Sequence, residues 1–530
     1  MKKLNKNQLG LIILTLILGI VYMMAGTNKS LIPMPSAKYT RAVETVESKS
    51  TESNDSAAES QSLPEQSNQQ TADKITPKSV SLKINQWKTK NNVDVYFVAA
   101  PELPMLDIMV TFKAGAAMSA TKPGVAALTN AMLNEGTKKY DNEQISEKLE
   151  SLGAIFGSSI DKDKSSINLR SLTDQSKLAP ALEIFNDLLA NATFPQKNFN
   201  RVKNQAIENL TLSQQYPEVI SSNQFYKLIY ANHPYGVPTA GTIESVKTIK
   251  RDDLISFYKK FYNYNNAQIT LVGDLSEDKA KELSEDIAAH MLNGEKAADV
   301  PEIKLVANNN IFNKTNNLVK HINFPSTQTH IIFGSVGIKR SDPDYFALTL
   351  GNHILGDMPL TSLLFKNVRI DQGLAYSVSS DFIAMKNQGP FLINMQTRNE
   401  KANQALDVSK QTLTDFLKNG PTEQELTLAK QNLTGQFPIN IASNSKKLAT
   451  VAAIGFYNLP LDYLDTYVDN INKISQQDIM TAFNKHVKID NLTIVTVGNA
   501  EVTRAAKLDD KTKPITGVDG AESPTGITEQ

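Results

Sequence analysis

The chain has no cysteine among its 530 residues, which excludes disulfides, thiolate zinc sites and cysteine nucleophiles at once. It has no excess of either charge, with 55 basic and 55 acidic residues, and so no electrostatic reason to seek nucleic acid or an anionic surface. Histidine is scarce. None of His233, His290, His321, His330, His353 and His486 stands four residues from another, so no helix offers a two-histidine metal face. The G-x-S-x-G elbow, the Walker loop and the dinucleotide fingerprint are also missing. What remains is an ordinary globular composition, 41% apolar and 21% charged, long enough for about two to four domains.

One long apolar run opens the chain. Lys2, Lys3 and Lys6 precede an uncharged stretch from Leu9 to Gly26, eighteen residues, at the lower limit for spanning a bilayer. It is longer than the core of a cleaved signal peptide and no A-x-A site follows. We expect residues 1–30 to be an uncleaved anchor in a bacterial inner membrane, with the bulk of the chain in the periplasm. Secretion to the periplasm after cleavage is the alternative. Residues 31–80 are rich in Ser, Glu, Gln and Asn and read as a disordered polar linker. Residues 506–530 read as a tail of the same kind.

Between these segments the sequence is duplicated. "VKTIKRDDLISFYKKFYNYNNAQITLVGDL" aligns without gaps on "INKISQQDIMTAFNKHVKIDNLTIVTVGNA" at an offset of 225, matching Asp253 with Asp478, Tyr258 with Phe483 and Gly273 with Gly498. A period near this length is a repeated domain, not a solenoid unit. Each half has early strand signals, then long helical patterns, then a closing strand. This predicts α+β architecture: two homologous domains, 81–300 and 318–505, each a mainly antiparallel sheet covered by helices on one face.

Two stretches hold the candidate chemistry. "GVAALTNAMLNEGT" (124–137) places Ala127, Asn130 and Ala131 on one helix face, the spacing on which enzymes mount metal ligands, here with two methyl groups. "NVRIDQGLAYSVSSDF" (367–382) combines Arg369, a Gln372-Gly373 turn and Tyr376 at the start of a strand. A guanidinium fork and a phenol suit peptide carbonyls or a developing oxyanion. They also suit a loop arginine and a half-buried strand tyrosine with no function. His233, in a Pro-containing turn, and His353, on an apolar helix, read as structural.

The order of these motifs, with "HPYGVPTAGTIESV", "RSDPDYFALTLGNHILGD" and the two strand-to-glycine endings, resembles the insulinase/pitrilysin-type zinc metallopeptidases (inverzincins) of the short two-domain kind, from about Val80 to Asn499. The resemblance implies that H-x-x-E-H, two zinc histidines and a glutamate base, falls on Ala127, Asn130 and Ala131. The third ligand, a glutamate, falls by spacing on Glu208, here read as an exposed helix carboxylate. Alanine offers no lone pair and Asn130 cannot serve as a carboxylate base. We therefore expect no metal, no other cofactor and no catalytic residue in this chain.

Arg369 and Tyr376 match the family's substrate-positioning arginine and tyrosine. "GDMPLTSLLF" departs from the family's glycine-rich loop, and "LGAIFGSSID" (152–161) is the expected peptide-binding edge strand. The expectation is a non-catalytic subunit of a heteromeric peptidase. Its partners would be a zinc-bearing chain of the same family or a second copy of itself, peptide substrates, and the inner membrane. The alternatives are a structural or chaperone-like homologue, and a zinc peptidase using other ligands.

Overall fold

The computed structural model describes residues 82–303 and 318–499. The expected anchor (1–30), linker (31–80) and tail (506–530) lie outside the described residues. Within those residues, no helix is long and apolar enough to cross a membrane.

The first domain comprises β1 (Asn85–Lys88), β2 (Asp94–Ala99), β3 (Met105–Phe112), α1 (Val125–Ala131), α2 (Asn142–Ser151), β4 (Ile155–Ile160) and β5 (Ser165–Leu172). It continues with α3 (Gln175–Asn191), α4 (Gln196–Ser213), α5 (Pro217–Tyr230), α6 (Ile243–Thr248), α7 (Arg251–Phe261), β6 (Ala267–Gly273) and α8 (Glu277–His290). Its sheet runs β1-β2-β6-β3-β5-β4, with β2 and β6 parallel and the other pairs antiparallel.

The second domain comprises β7 (Leu318–Asn323), β8 (Gln328–Val336), α9 (Tyr345–Asn352), β9 (Ala375–Phe382) and β10 (Pro390–Arg398). There follow α10 (Ala402–Asn419), α11 (Glu423–Asn440), α12 (Asn444–Phe456), α13 (Tyr463–Lys473), α14 (Gln476–His486) and β11 (Thr493–Gly498). Its sheet runs β7-β11-β8-β10-β9, with only β7 and β11 parallel. Apart from the added edge strand β1, the two sheets have the same order. The repeat in sequence is a repeat of topology.

Matched residues do matched work. Asp253 Oδ2 accepts the Lys250 amide at 2.7 Å, and Asp478 Oδ2 accepts the Ser475 amide at 2.8 Å. Each is a carboxylate three residues into its helix that closes the helix start. Gly273 and Gly498 end equivalent strands where a neighbour passes close. A Cβ would stand 2.2 Å from the Met105 carbonyl oxygen in one and 2.6 Å from Thr329 Oγ1 in the other.

The expectation of helices on one face of each sheet is corrected by the structure. Leu106, Ile108, Val110 and Phe112 alternate on β3 toward the helical core of the first domain, as the period of a strand requires. The opposite face is also apolar: Tyr96, Val98 and Val272 meet Leu448 and Val451 of α12. Reciprocally, Ile332, Leu392, Val495 and Val497 on the far face of the second sheet meet Phe225, Ile229 and Tyr230 of α5. Each domain thus lends one helix to cover the other's sheet. The cause is that both sheets are buried on both sides, and full burial of each such side chain contributes about 1.5–3 kcal/mol.

The seam between the domains holds a polar network. Asp163, in the β4–β5 turn and only 4% exposed, accepts the Lys386 amide at 2.8 Å and the Tyr235 hydroxyl. Tyr235 in turn accepts the Asn387 amide at 3.1 Å, and the Tyr230 hydroxyl donates to the Gln388 carbonyl at 2.9 Å. Burial pushes the Asp163 carboxyl above its ordinary range, although these donors oppose the shift.

Candidate functional site

Helix α1 opens at Gly124, whose φ of +96° and close approach to Val246 suit only glycine. Val125, Ala126 and Leu128 face the core of the first domain. Ala127 and Asn130 are also buried, and Ala131 is partly so. Asn130 Nδ2 donates to Ser165 Oγ at 2.7 Å, and Ser165 Oγ meets the Tyr262 hydroxyl at 2.6 Å. Burial pushes the Tyr262 phenol up to about 12, so the chain Asn130–Ser165–Tyr262 is uncharged at neutral pH. A carboxylate could not donate to Ser165; the amide can. Asn130 is therefore a structural hydrogen-bond donor.

Helix α4 is tied to the turn after α1 by Asn198 Nδ2 donating to the Glu135 carbonyl at 2.6 Å and by the Arg201–Glu135 ion pair. On α4, Glu208 is exposed. A zinc site needs three protein ligands, and the α1 face supplies two methyl groups and an amide already committed to Ser165. These residues do not fit a zinc ion.

Among the described residues, one group of metal-ligating side chains does converge: Asp342, Asp344 and His486. It joins the entry of α9 to the end of α14 and has no counterpart in the sequence reading, because its members come together only through the fold. Lys485 Nζ lies 2.7 Å and His486 Nε2 2.9 Å from Asp344 Oδ2. Burial pushes the Asp344 carboxyl up, but the bonds from Lys485 and His486 outweigh it and hold the group below its usual range. The cluster is a charge-paired brace. His353 is likewise buried, with Asp357 Oδ2 at 2.9 Å and Asn432 Oδ1 at 2.8 Å. His233 Nδ1 accepts the Tyr235 amide at 3.2 Å, which leaves Nε2 to donate to the Pro301 carbonyl at 2.8 Å.

The structure brings Arg369 and Tyr376 together. Arg369 lies in a π-helical turn, Phe365–Ile370, a form that occurs mostly as single turns and frequently at functional sites. The Gly373 amide donates to the Arg369 carbonyl at 3.0 Å and the Leu374 amide to the Val368 carbonyl at 2.9 Å. With φ of +58° at Gly373, these bonds reverse the chain so that β9 returns past the arginine. The guanidinium carbon then lies 4.9 Å from the Phe365 ring centroid and 5.3 Å from that of Tyr376, within cation–π range of both. Tyr376 is 72% exposed, on the edge strand of its sheet. Phe365 was missed by the sequence reading, although its spacing of four residues from Arg369 is a helical contact signal. The expected peptide-binding segment, 152–161, contains β4, which is the edge strand of the first sheet.

Known proteins share this fold. The family description "Insulinase (Peptidase family M16)" matches residues 96–243, and "Peptidase M16 inactive domain" matches 248–433. The chain is 27% identical over 423 residues to the non-peptidase homolog YmxG of Helicobacter pylori, covering 79% of this chain and 93% of that one. It is 22% identical to an uncharacterized zinc protease YmxG of Bacillus subtilis, covering 69% of this chain and 86% of that one. The crystal structure of a peptidase M16 inactive domain from Pseudomonas fluorescens superposes with a TM-score of 0.75 at 37% identity, over 80% of this chain and 99% of that one. The chain therefore belongs to the M16 (insulinase) peptidase family, of which it has both homologous domains.

Proposed function

We propose that this protein is the non-catalytic subunit of a heteromeric zinc metallopeptidase, held at the inner membrane by its N-terminal segment and facing the periplasm. It supplies half of a peptide-enclosing chamber and the Arg369/Tyr376 element. The observation that carries this reading is the contrast between the two domains. The α1 face has neither metal ligand nor base, whereas Arg369 lies within cation–π range of Phe365 and of the exposed phenol Tyr376. An arginine and tyrosine so presented suit the carbonyl and developing oxyanion of a peptide. The edge strand β4 suits an extended peptide added to the sheet.

The purified chain is expected to bind no stoichiometric zinc and to cleave no peptide alone. Crosslinking in membranes followed by mass spectrometry should recover a family member bearing H-x-x-E-H, and adding that chain should produce peptidase activity. Arg369→Ala and Tyr376→Ala should each lower that activity by about a hundredfold, the cost typical of losing an oxyanion donor. Full activity in both variants would leave a structural or chaperone-like role. One tightly bound zinc per chain would overturn the reading altogether.

A further inference from the structure

Among the described residues, every arginine but one has a polar partner. Arg170 pairs with Asp107 at 2.7 Å, Arg201 with Glu135, and Arg398 with Glu400 at 3.4 Å. Arg251 donates to the Phe194 and Thr193 carbonyls at 2.6 and 2.8 Å, and Arg340 to the Tyr463 hydroxyl at 2.8 Å. The exception is Arg369. Its guanidinium has no carboxylate, carbonyl or hydroxyl partner among the described residues; it lies over two rings, 4.9 Å from the Phe365 centroid and 5.3 Å from that of Tyr376.

This changes what can fix its position. A paired arginine is oriented by directional N–H bonds, whereas Arg369 keeps its N–H groups for a ligand and is steadied only through the rings. The two rings differ. Tyr376 is exposed on an edge strand and is itself placed to meet the ligand. Phe365 is half-buried and stands four residues before the arginine in the same π-helical turn, whose Asp371 amide donates to the Lys366 carbonyl at 2.9 Å. It is not one of the side chains that build the core of the second domain, so core packing does not account for a large ring at this position. Leucine would give similar apolar cover without the electron-rich face that attracts a cation.

We infer that Phe365 is a positioning residue: its ring sets the place of the Arg369 guanidinium, so that the N–H groups meet a peptide carbonyl or oxyanion already aligned. The inference rests on the role proposed for Arg369 and adds the means by which that arginine is steadied. The peptidase assembled from the full chain and its zinc-bearing partner tests it by a double-mutant cycle. Phe365→Leu should lower kcat/KM by about threefold to thirtyfold, the range of a cation–π contact, and Phe365→Tyr, which keeps the ring face, should restore it. The loss should vanish when Phe365→Leu is added to Arg369→Ala, because the ring then has nothing to place. An additive loss, or wild-type kcat/KM in Phe365→Leu while Arg369→Ala is impaired, overturns the positioning role and leaves that of Arg369 standing. Wild-type activity in Arg369→Ala overturns both. The chain alone gives a second measurement that needs no partner. With isotope-labelled arginine, the Nε–H resonance that disappears in Arg369→Ala should move in Phe365→Leu, as the ring current is lost, and stay near its wild-type place in Phe365→Tyr. An unmoved resonance in Phe365→Leu overturns the proposal. If Phe365→Leu does not fold, Phe365→Met, close to leucine in volume, carries both measurements.

Discussion

Asn130 shows how a helix can keep its packing while its chemistry changes. Where the family places a general base, this chain has an amide that donates into the buried pair Ser165 and Tyr262. Removing that amide leaves two hydroxyls to share one hydrogen bond in a closed space. Asn130→Ala should therefore lower stability by about 1–3 kcal/mol in denaturant titration, with no effect on metal content. A neutral result would mean that the Ser165–Tyr262 pair is satisfied without it. That α1 lacks metal ligands was legible from residue types alone. The role of Asn130 was not, because Ser165 lies 35 residues further along and Tyr262 another 97 beyond Ser165.

At the scale of elements, strands and helical patterns were readable because their causes are local. The alternating apolar residues of β3 announce themselves within a few residues, whereas Asp253 and Asp478, matched in the repeat, showed their capping role only in the structure. The matched glycines have a less local cause. Gly273 is required because β3 crosses too close for a side chain, with the Met105 carbonyl 2.2 Å from the place a Cβ would take. Gly273→Ala should force the strands apart and cost about 1–3 kcal/mol, the range for overpacking, seen as a lower midpoint in thermal unfolding. An unchanged midpoint would show that the strand end yields freely. The Arg369 element was half legible: its Arg-x6-Tyr spacing is in the sequence, but the π-helical turn that places Phe365 beneath the guanidinium is a product of the fold.

The whole molecule is held by an exchange of helices, and its seam holds charge away from water. Lys162, in the turn that enters this seam, donates to the Val237 carbonyl and lies 5.3 Å from the Tyr226 ring centroid. Burial pushes its ammonium down to about 8 from an ordinary 10.5. Above pH 8 the folded chain has released this proton while the unfolded chain still holds it, so stability should rise with pH from about 8 toward 10. Below pH 8 both forms are charged and the burial penalty is complete. Lys162→Met should remove this rise, measured as the pH dependence of the denaturation midpoint between about pH 7.5 and 9.5, where the folded chain loses this proton first. An identical slope in the variant would place the titration elsewhere.

Residue order by itself determined the family motifs, the duplicated α+β architecture and the absence of zinc ligands on α1. Each of these depends on residue type and on periodicities of two and 3.6, which act over short distances. Only the tertiary structure decided which sheet α5 and α12 cover and that Arg369 comes within cation–π range of both Phe365 and Tyr376. An apolar stripe states that a face will be covered, but not by what. That choice falls to contacts between residues hundreds of positions apart, such as Gln268 with Ala452, which form only once both sheets exist.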